Sequence, residues 1–141
     1  DYGTMTLYAQ QAKYDQKLKA GVADRDVEII DVKDSLTIYA DKALYYDEPV
    51  RSKAFPQAVM RGIRGKDTLY LSADTLYAIN DTVNKIRRLH AYRKAKLFSS
   101  YMTGIADSIV YDMKDSTLTF FKDPVLWHDI NQLRGDTVRI Y

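Results

Sequence analysis

The side chains able to do chemistry in this chain are few, and their spacing matches no catalytic pattern. Histidine occurs only at His90 and His128, isolated and far apart. There is no Gly-x-Ser-x-Gly nucleophile turn, no His-Glu-x-x-His zinc helix and no Gly-rich phosphate loop. Cysteine is absent, which removes disulfide scaffolds and thiolate metal sites. Aspartate recurs at Asp41, Asp74, Asp107 and Asp136, as a ladder of cation sites would require. Calcium-binding β-rolls, however, shape each loop with a Gly-rich nonapeptide, and this chain has none. These aspartates are read as bend residues, with Asp15 and Asp112 as turn residues of the same kind. The expectation is therefore no catalytic residue, no metal and no cofactor.

Charge and apolarity offer binding rather than reaction. Residues 82–106 carry Lys85, Arg87, Arg88, Arg93, Lys94 and Lys96 without an acid. Residues 49–66 carry Arg51, Lys53, Arg61, Arg64 and Lys66, again without an acid. Such a strip could meet phosphates or acidic sugars, with Lys85, Arg87, Arg88, Arg93 and Lys94 as the contact candidates. The bland alternative is a solvated return strand whose cations protect an edge from aggregation. The whole chain carries 21 Lys+Arg against 19 Asp+Glu, a net charge of +2, which gives no reason to expect nucleic acid. Leu36, Ile38, Leu69, Leu71, Leu76, Met102, Ile109, Leu118 and Phe120 recur in register and are candidates either for plain core or for an apolar groove.

The elements that must position these side chains are strands. Twelve tyrosines against three prolines and six glycines in 141 residues favour β-structure, and 46% hydrophobic content supports a buried core. The length fits one domain, 1–141. No apolar run is long enough for a membrane-spanning helix. The chain opens at Asp1 rather than Met, as expected of a mature or excised piece of a longer protein.

A repeat organises the chain. Asp34-Ser-Leu-Thr-Ile-Tyr-Ala-Asp41, Asp67-Thr-Leu-Tyr-Leu-Ser-Ala-Asp74 and Ser100-Tyr-Met-Thr-Gly-Ile-Ala-Asp107 share one pattern, with weaker copies at both ends. Their small anchors Ala9, Ala40, Ala73, Ala106 and Gly135 are 31, 33, 33 and 29 residues apart. Around each anchor the apolar positions alternate with period 2, then slip by one residue at the Ala-Asp step. In a strand, such a slip would turn every later side chain to the other face unless a bulge or bend restored it. Each unit is predicted to be a bent strand with a returning partner, stacked on its neighbours. The turns fall at 19–21, Glu48-Pro49, Phe55-Pro56, Asn80-Asp81, 114–116 and 122–124. Residues 48–66 break the regularity and are read as a loop or a bulged return.

Leu71-Ser-Ala-Asp-Thr-Leu-Tyr77, Gly104-Ile-Ala-Asp-Ser-Ile-Val-Tyr-Asp112 and Pro124-Val-Leu-Trp127 leading into Leu133-Arg-Gly-Asp-Thr-Val138 resemble the OstA family. That family comprises the lipopolysaccharide-transport proteins LptA, LptC and the N-terminal domain of LptD, and the wording is nearest to OstA-like proteins of Bacteroidetes. The resemblance spans essentially the whole chain. It implies an all-β open jelly roll of repeated bent antiparallel strands, in the cell envelope or periplasm of a Gram-negative bacterium. It further implies a non-enzymatic role: acyl chains of lipopolysaccharide (lipid A) held in the apolar interior, with phosphates and sugars outside. Docking to like domains, including a head-to-tail homo-oligomer, would use the edge strands Met5–Ala12 and Gly135–Tyr141. Two rivals stand beside it. One is a purely structural β-repeat module; the other is a glycan-binding module using Tyr8, Tyr39 and Tyr70, which fall on the face opposite the ladder.

Overall fold

Period-2 alternation makes every regular element a strand. A computed structural model describes residues 5–32, 35–47, 50–81, 83–128 and 131–141. The strands are β1 (Met5–Tyr8), β2 (Gln11–Asp15), β3 (Ala20–Asp31), β4 (Leu36–Asp47), β5 (Val50–Phe55), β6 (Ala58–Arg64) and β7 (Asp67–Ala73). They continue with β8 (Thr75–Asp81), β9 (Ile86–Ser99), β10 (Thr103–Asp112), β11 (Thr117–Phe121), β12 (Val125–His128), β13 (Asn131–Arg134) and β14 (Thr137–Ile140). All pairings are antiparallel and join one 14-stranded system.

Four long strands belong to two layers at once. β4 pairs β6 through Leu36–Tyr39 and β5 through Lys42–Asp47; β3, β9 and β10 divide in the same way. Two half-sheets result, joined along a crease. The first runs β1, β3, β4, β6, β7, β9, β10, β12, β13; the second runs β2, β3, β4, β5, β8, β9, β10, β11, β14. The architecture is an open β-jelly roll.

The crease explains the phase slip. Pairing shifts between Asp24 and Val27 in β3 and between Ala106 and Ser108 in β10. Alternate corners use left-handed residues: Arg25 and Asp26 (φ 65° and 50°), Gln57 (47°), Arg93 and Lys94 (65° and 51°), Lys122 and Asp123 (61° and 53°). The Ala-Asp corners lie between them and are tied to them through backbone. Asp74 N–H donates to Arg93 O (3.1 Å) and Asp107 N–H to Lys122 O (3.4 Å). Of the small anchors, Ala73 and Ala106 are buried at the apex where the halves converge, beside Ala58 and Ala95 of the other corners, while Ala9 and Ala40 are half-buried and Gly135 is exposed. They are crease residues.

The turn aspartates behave as their positions predict. Asp15 Oδ1 accepts from Lys17 N–H (2.9 Å) and Leu18 N–H (3.2 Å); Asp81 and Asp112 cap the next turns in the same manner. At the crease, Asp107 Oδ2 accepts from Ser108 Oγ and faces Lys122 Nζ at 4.0 Å. The irregularity expected over 48–66 is corrected. β5 and β6 are regular strands on either side of a corner at Pro56-Gln57, and the missing Ala-Asp wording reflects the other class of corner. The turn placed at Glu48-Pro49 lies outside the described residues.

Candidate functional site

The apolar positions converge on the space between the half-sheets. In the first, one inner row crosses all nine strands: Leu7, Ile29, Ile38, Met60, Leu71, Leu97, Gly104, Leu126, Leu133. In the second, the facing row reads Ala12, Ala23, Ala43, Ala54, Leu76, Ala91, Ile109, Phe120, Val138. Large side chains of one layer thus face small ones of the other over the first four strands, and the volumes complement. At the far end the order reverses: a Cβ on Gly104 would lie 2.9 Å from Phe120, so the glycine is what admits the ring.

Of the sequence-predicted groove residues, Leu36, Ile38, Leu69, Leu71, Leu76, Ile109, Leu118 and Phe120 all line this interior and are buried. Met102 does not sit on a strand. It lies in the β9–β10 turn at the lip, half-buried against the core, with its carbonyl accepting from Ser99 N–H (2.9 Å). Leu133, another ladder position, is 55% exposed because β13 is an edge strand. The interior is filled by the chain's own side chains. Cavities of about 380–480 Å³ open on the outer faces and along the crease instead.

One polar notch interrupts the lining, and the sequence reading missed it. Tyr14, Gly21, Tyr45 and Ser52 form a row nearer the lip of the second half-sheet, with Asp47 beyond them. Tyr45 lies across Gly21, where any Cβ would meet its ring at 2.1 Å, and it stacks on Tyr14 at 6.2 Å and 9°. Tyr14 donates its hydroxyl to Asp47 Oδ2. Burial, and then the charge of Asp47, raise the Tyr45 phenol above its ordinary value. Asp47 Oδ1 and Ser52 Oγ are buried with no hydrogen-bond partner among the described residues. Alternation at Gly21 and Ser52 was the available signal, hidden because neither residue reads as apolar.

The basic candidates divide into two groups. Lys85, Arg87 and Arg88 stand at the lip of the second half-sheet, in the β8–β9 turn and the start of β9. Arg88 is on the outer face and pairs with Asp112 (3.3 Å). Arg93 and Lys94 are exposed crease residues, at the other end of the same strand segment. The two basic segments do share rows with one strand between them: Arg51 and Arg88 flank Ile79, and Lys53 and His90 flank Tyr77. Among the described residues, no group of three or more His, Asp or Glu could hold a metal ion.

Antiparallel half-sheets joined along a crease, inner apolar rows that cross every strand and terminal strands unpaired on one side define a class, the open β-jelly rolls. Within that class the chain belongs to the LptA/LptD N-terminal-domain family of lipopolysaccharide transport proteins, which matches residues 3–141. The fold is similar to that of LptH from Pseudomonas aeruginosa, the LptA-homologous periplasmic component of the lipopolysaccharide transport device. The TM-score is 0.68 at 16% identity, covering 97% of this chain and 94% of that one. No curated protein sequence matches the chain significantly.

Proposed function

We propose that this chain is a non-enzymatic periplasmic lipopolysaccharide carrier that takes lipid A acyl chains between its half-sheets and passes them toward the outer membrane. The observation that carries the reading is the pair of inner rows running unbroken from the first strand to the last. An apolar path along the strand-stacking axis accepts alkyl chains without regard to their detailed sequence of groups. Each buried methylene contributes about 0.8 kcal/mol. The ladder hydrogen bonds run within each half-sheet, and backbone continuity between the halves is confined to the crease. The lips can therefore part without breaking strand pairing, and alkyl chains fill the space that opens as the inner faces separate.

The edges supply the docking surfaces. β1 and β2 end the system on one side, β13 and β14 on the other. A second copy or a like domain that pairs β2 or β1 with the free edge of β14 or β13 continues both inner rows across the junction. Its partners in this reading are lipopolysaccharide and other OstA-like domains, in a head-to-tail array, with no role for nucleic acid.

A structural β-module is the second reading, and the observation favouring it is the filled interior, with Leu71 and Met60 fully buried. Ultraviolet cross-linking to lipopolysaccharide separates the two. A photoreactive residue at Leu71 is expected to give adducts, and one at Tyr70, on the outer face, none. Met102 at the lip serves as a less disruptive second inner probe. Absence of adducts from Leu71 and Met102 in folded protein, with both probes reactive toward detergent, sinks the carrier reading in favour of the structural one.

A further inference from the structure

The outer face of the first half-sheet carries a feature that the interior does not use. Strand alternation places Arg61, Tyr70, Phe98, Thr103, Trp127 and Gln132 in one outward row over β6, β7, β9, β10, β12 and β13. An outward sheet face is ordinarily polar. Here Tyr70 is 40% exposed, Phe98 59%, Trp127 36%, and Ile105 in the neighbouring row 39%. The Tyr70 and Phe98 rings lie 6.5 Å apart, tilted by 48°. Trp127 stands two strands beyond Phe98, roughly 10 Å by strand spacing, with Thr103 between them. Exposed apolar surface gathered in this way marks a contact site.

Over these six strands the outward charges have one sign. From β6 to β13 the two outward rows contain Arg61, Lys96 and Arg134 and no acid. Pyranose rings present C–H faces that stack on aromatic side chains, and their hydroxyls match Thr103 and Gln132. Carboxylate or phosphate substituents match the guanidinium and ammonium groups. A lipid surface fits less well. The aromatics stand on the strands β7, β9 and β12, interleaved with hydroxyl and amide groups, and do not project on a loop or an amphipathic helix.

We propose that the outer face of β6, β7, β9, β10, β12 and β13 binds an acidic glycan chain, stacked on Tyr70, Phe98 and Trp127 and held by Arg61, Lys96 and Arg134. This site is separate from the apolar interior and does not depend on acyl binding there.

The chain has a single tryptophan, so Trp127 emission reports on this face alone. Titration with oligogalacturonate hexamer, maltohexaose and phosphatidylglycerol vesicles is the test. A saturable change with the acidic hexamer is expected, about tenfold weaker when salt rises from about 50 mM to about 0.5 M. Phe98→Ala and Lys96→Glu are each expected to weaken it at least about fivefold, with unchanged circular dichroism and melting temperature, because both side chains are exposed. No change in emission up to about 10 mM hexamer overturns the proposal. So does equal binding of the neutral hexamer, or a response to vesicles alone.

Discussion

His90 shows how one side chain on the second half-sheet couples stability to pH. Its ring is stacked on Tyr92 (5.9 Å, 20°) and meets the edge of Tyr77 (6.3 Å). Burial, and then the neighbouring charge of Arg88, hold its pKa below the ordinary imidazole value. The unfolded chain, with a pKa of about 6.5, therefore takes up this proton before the folded one does, and stability falls as pH drops below that value. Asp67, Asp81 and Asp115 act in a lower window. Hydrogen bonds from Ser100, Asn84 and Thr117 respectively hold each carboxyl below its usual value. Their contribution is present above the unfolded pKa of about 4 and is lost as pH falls through the folded values. Melting temperature followed from pH 7 downward is expected to decline in both windows. His90→Phe, which keeps the stacked ring, should flatten the upper decline and leave the lower one. An unchanged upper decline in that variant would remove His90 as its source.

At the scale of the element, the bent strand is the unit of construction, and its corner sets both the inner rows and the crease. Arg93 and Lys94 hold the left-handed region inside β9, where a side chain costs on the order of 1–2 kcal/mol. Glycine relieves that strain but adds backbone entropy to the unfolded chain, so the two effects nearly cancel. Lys94→Gly is expected to change unfolding stability by less than about 1 kcal/mol, whereas a β-branched residue adds steric cost at positive φ. Lys94→Val should therefore destabilise by about 1–2 kcal/mol more than Lys94→Gly. Urea unfolding of the two variants measures the difference. Equal midpoints would mean that the corner does not impose the left-handed conformation in solution.

For the whole molecule, the two ends matter most, because an open system leaves the terminal strand of each half-sheet unpaired on one side. β14 pairs only β11, and β2 pairs only β3. If copies dock edge to edge, proline on the free side of β14 removes a donor and blocks the incoming strand. Prolines placed singly at Thr137, Val138 and Arg139 sample both directions of the alternating N–H groups. Sedimentation at rising protein concentration is expected to show association in the parent chain, weakened about tenfold by the proline whose N–H points outward. Folded variants that all associate like the parent would move the docking surface away from this edge.

Much of this architecture is legible without coordinates. The spacing of Ala40, Ala73 and Ala106, with the one-residue slip beside each, defines bent strands and identifies Leu36, Ile38, Leu71 and Ile109 as one face. Side-chain alternation is a local property of the backbone, so sequence records it directly. The motifs Gly104–Asp112 and Pro124–Val138 also carry the family, and the match over residues 3–141 agrees. The second kind of corner is only half legible: Phe55-Pro56 and 122–124 read as turns because each carries a proline, whereas Arg25-Asp26 and Arg93-Lys94 take a left-handed backbone with no Gly, Pro or Asn to signal it. A left-handed corner without the Ala-Asp wording is also why residues 48–66 read as irregular rather than as the two strands β5 and β6. The tertiary structure alone decided which rows face each other. Ala12, Ala23, Ala43 and Ala54 oppose Ile29, Ile38 and Met60, Gly104 makes room for Phe120, and Tyr70, Phe98 and Trp127 share one outer row. Those pairings join residues remote in sequence, and they are fixed by register and by the crease angle, which no local pattern encodes.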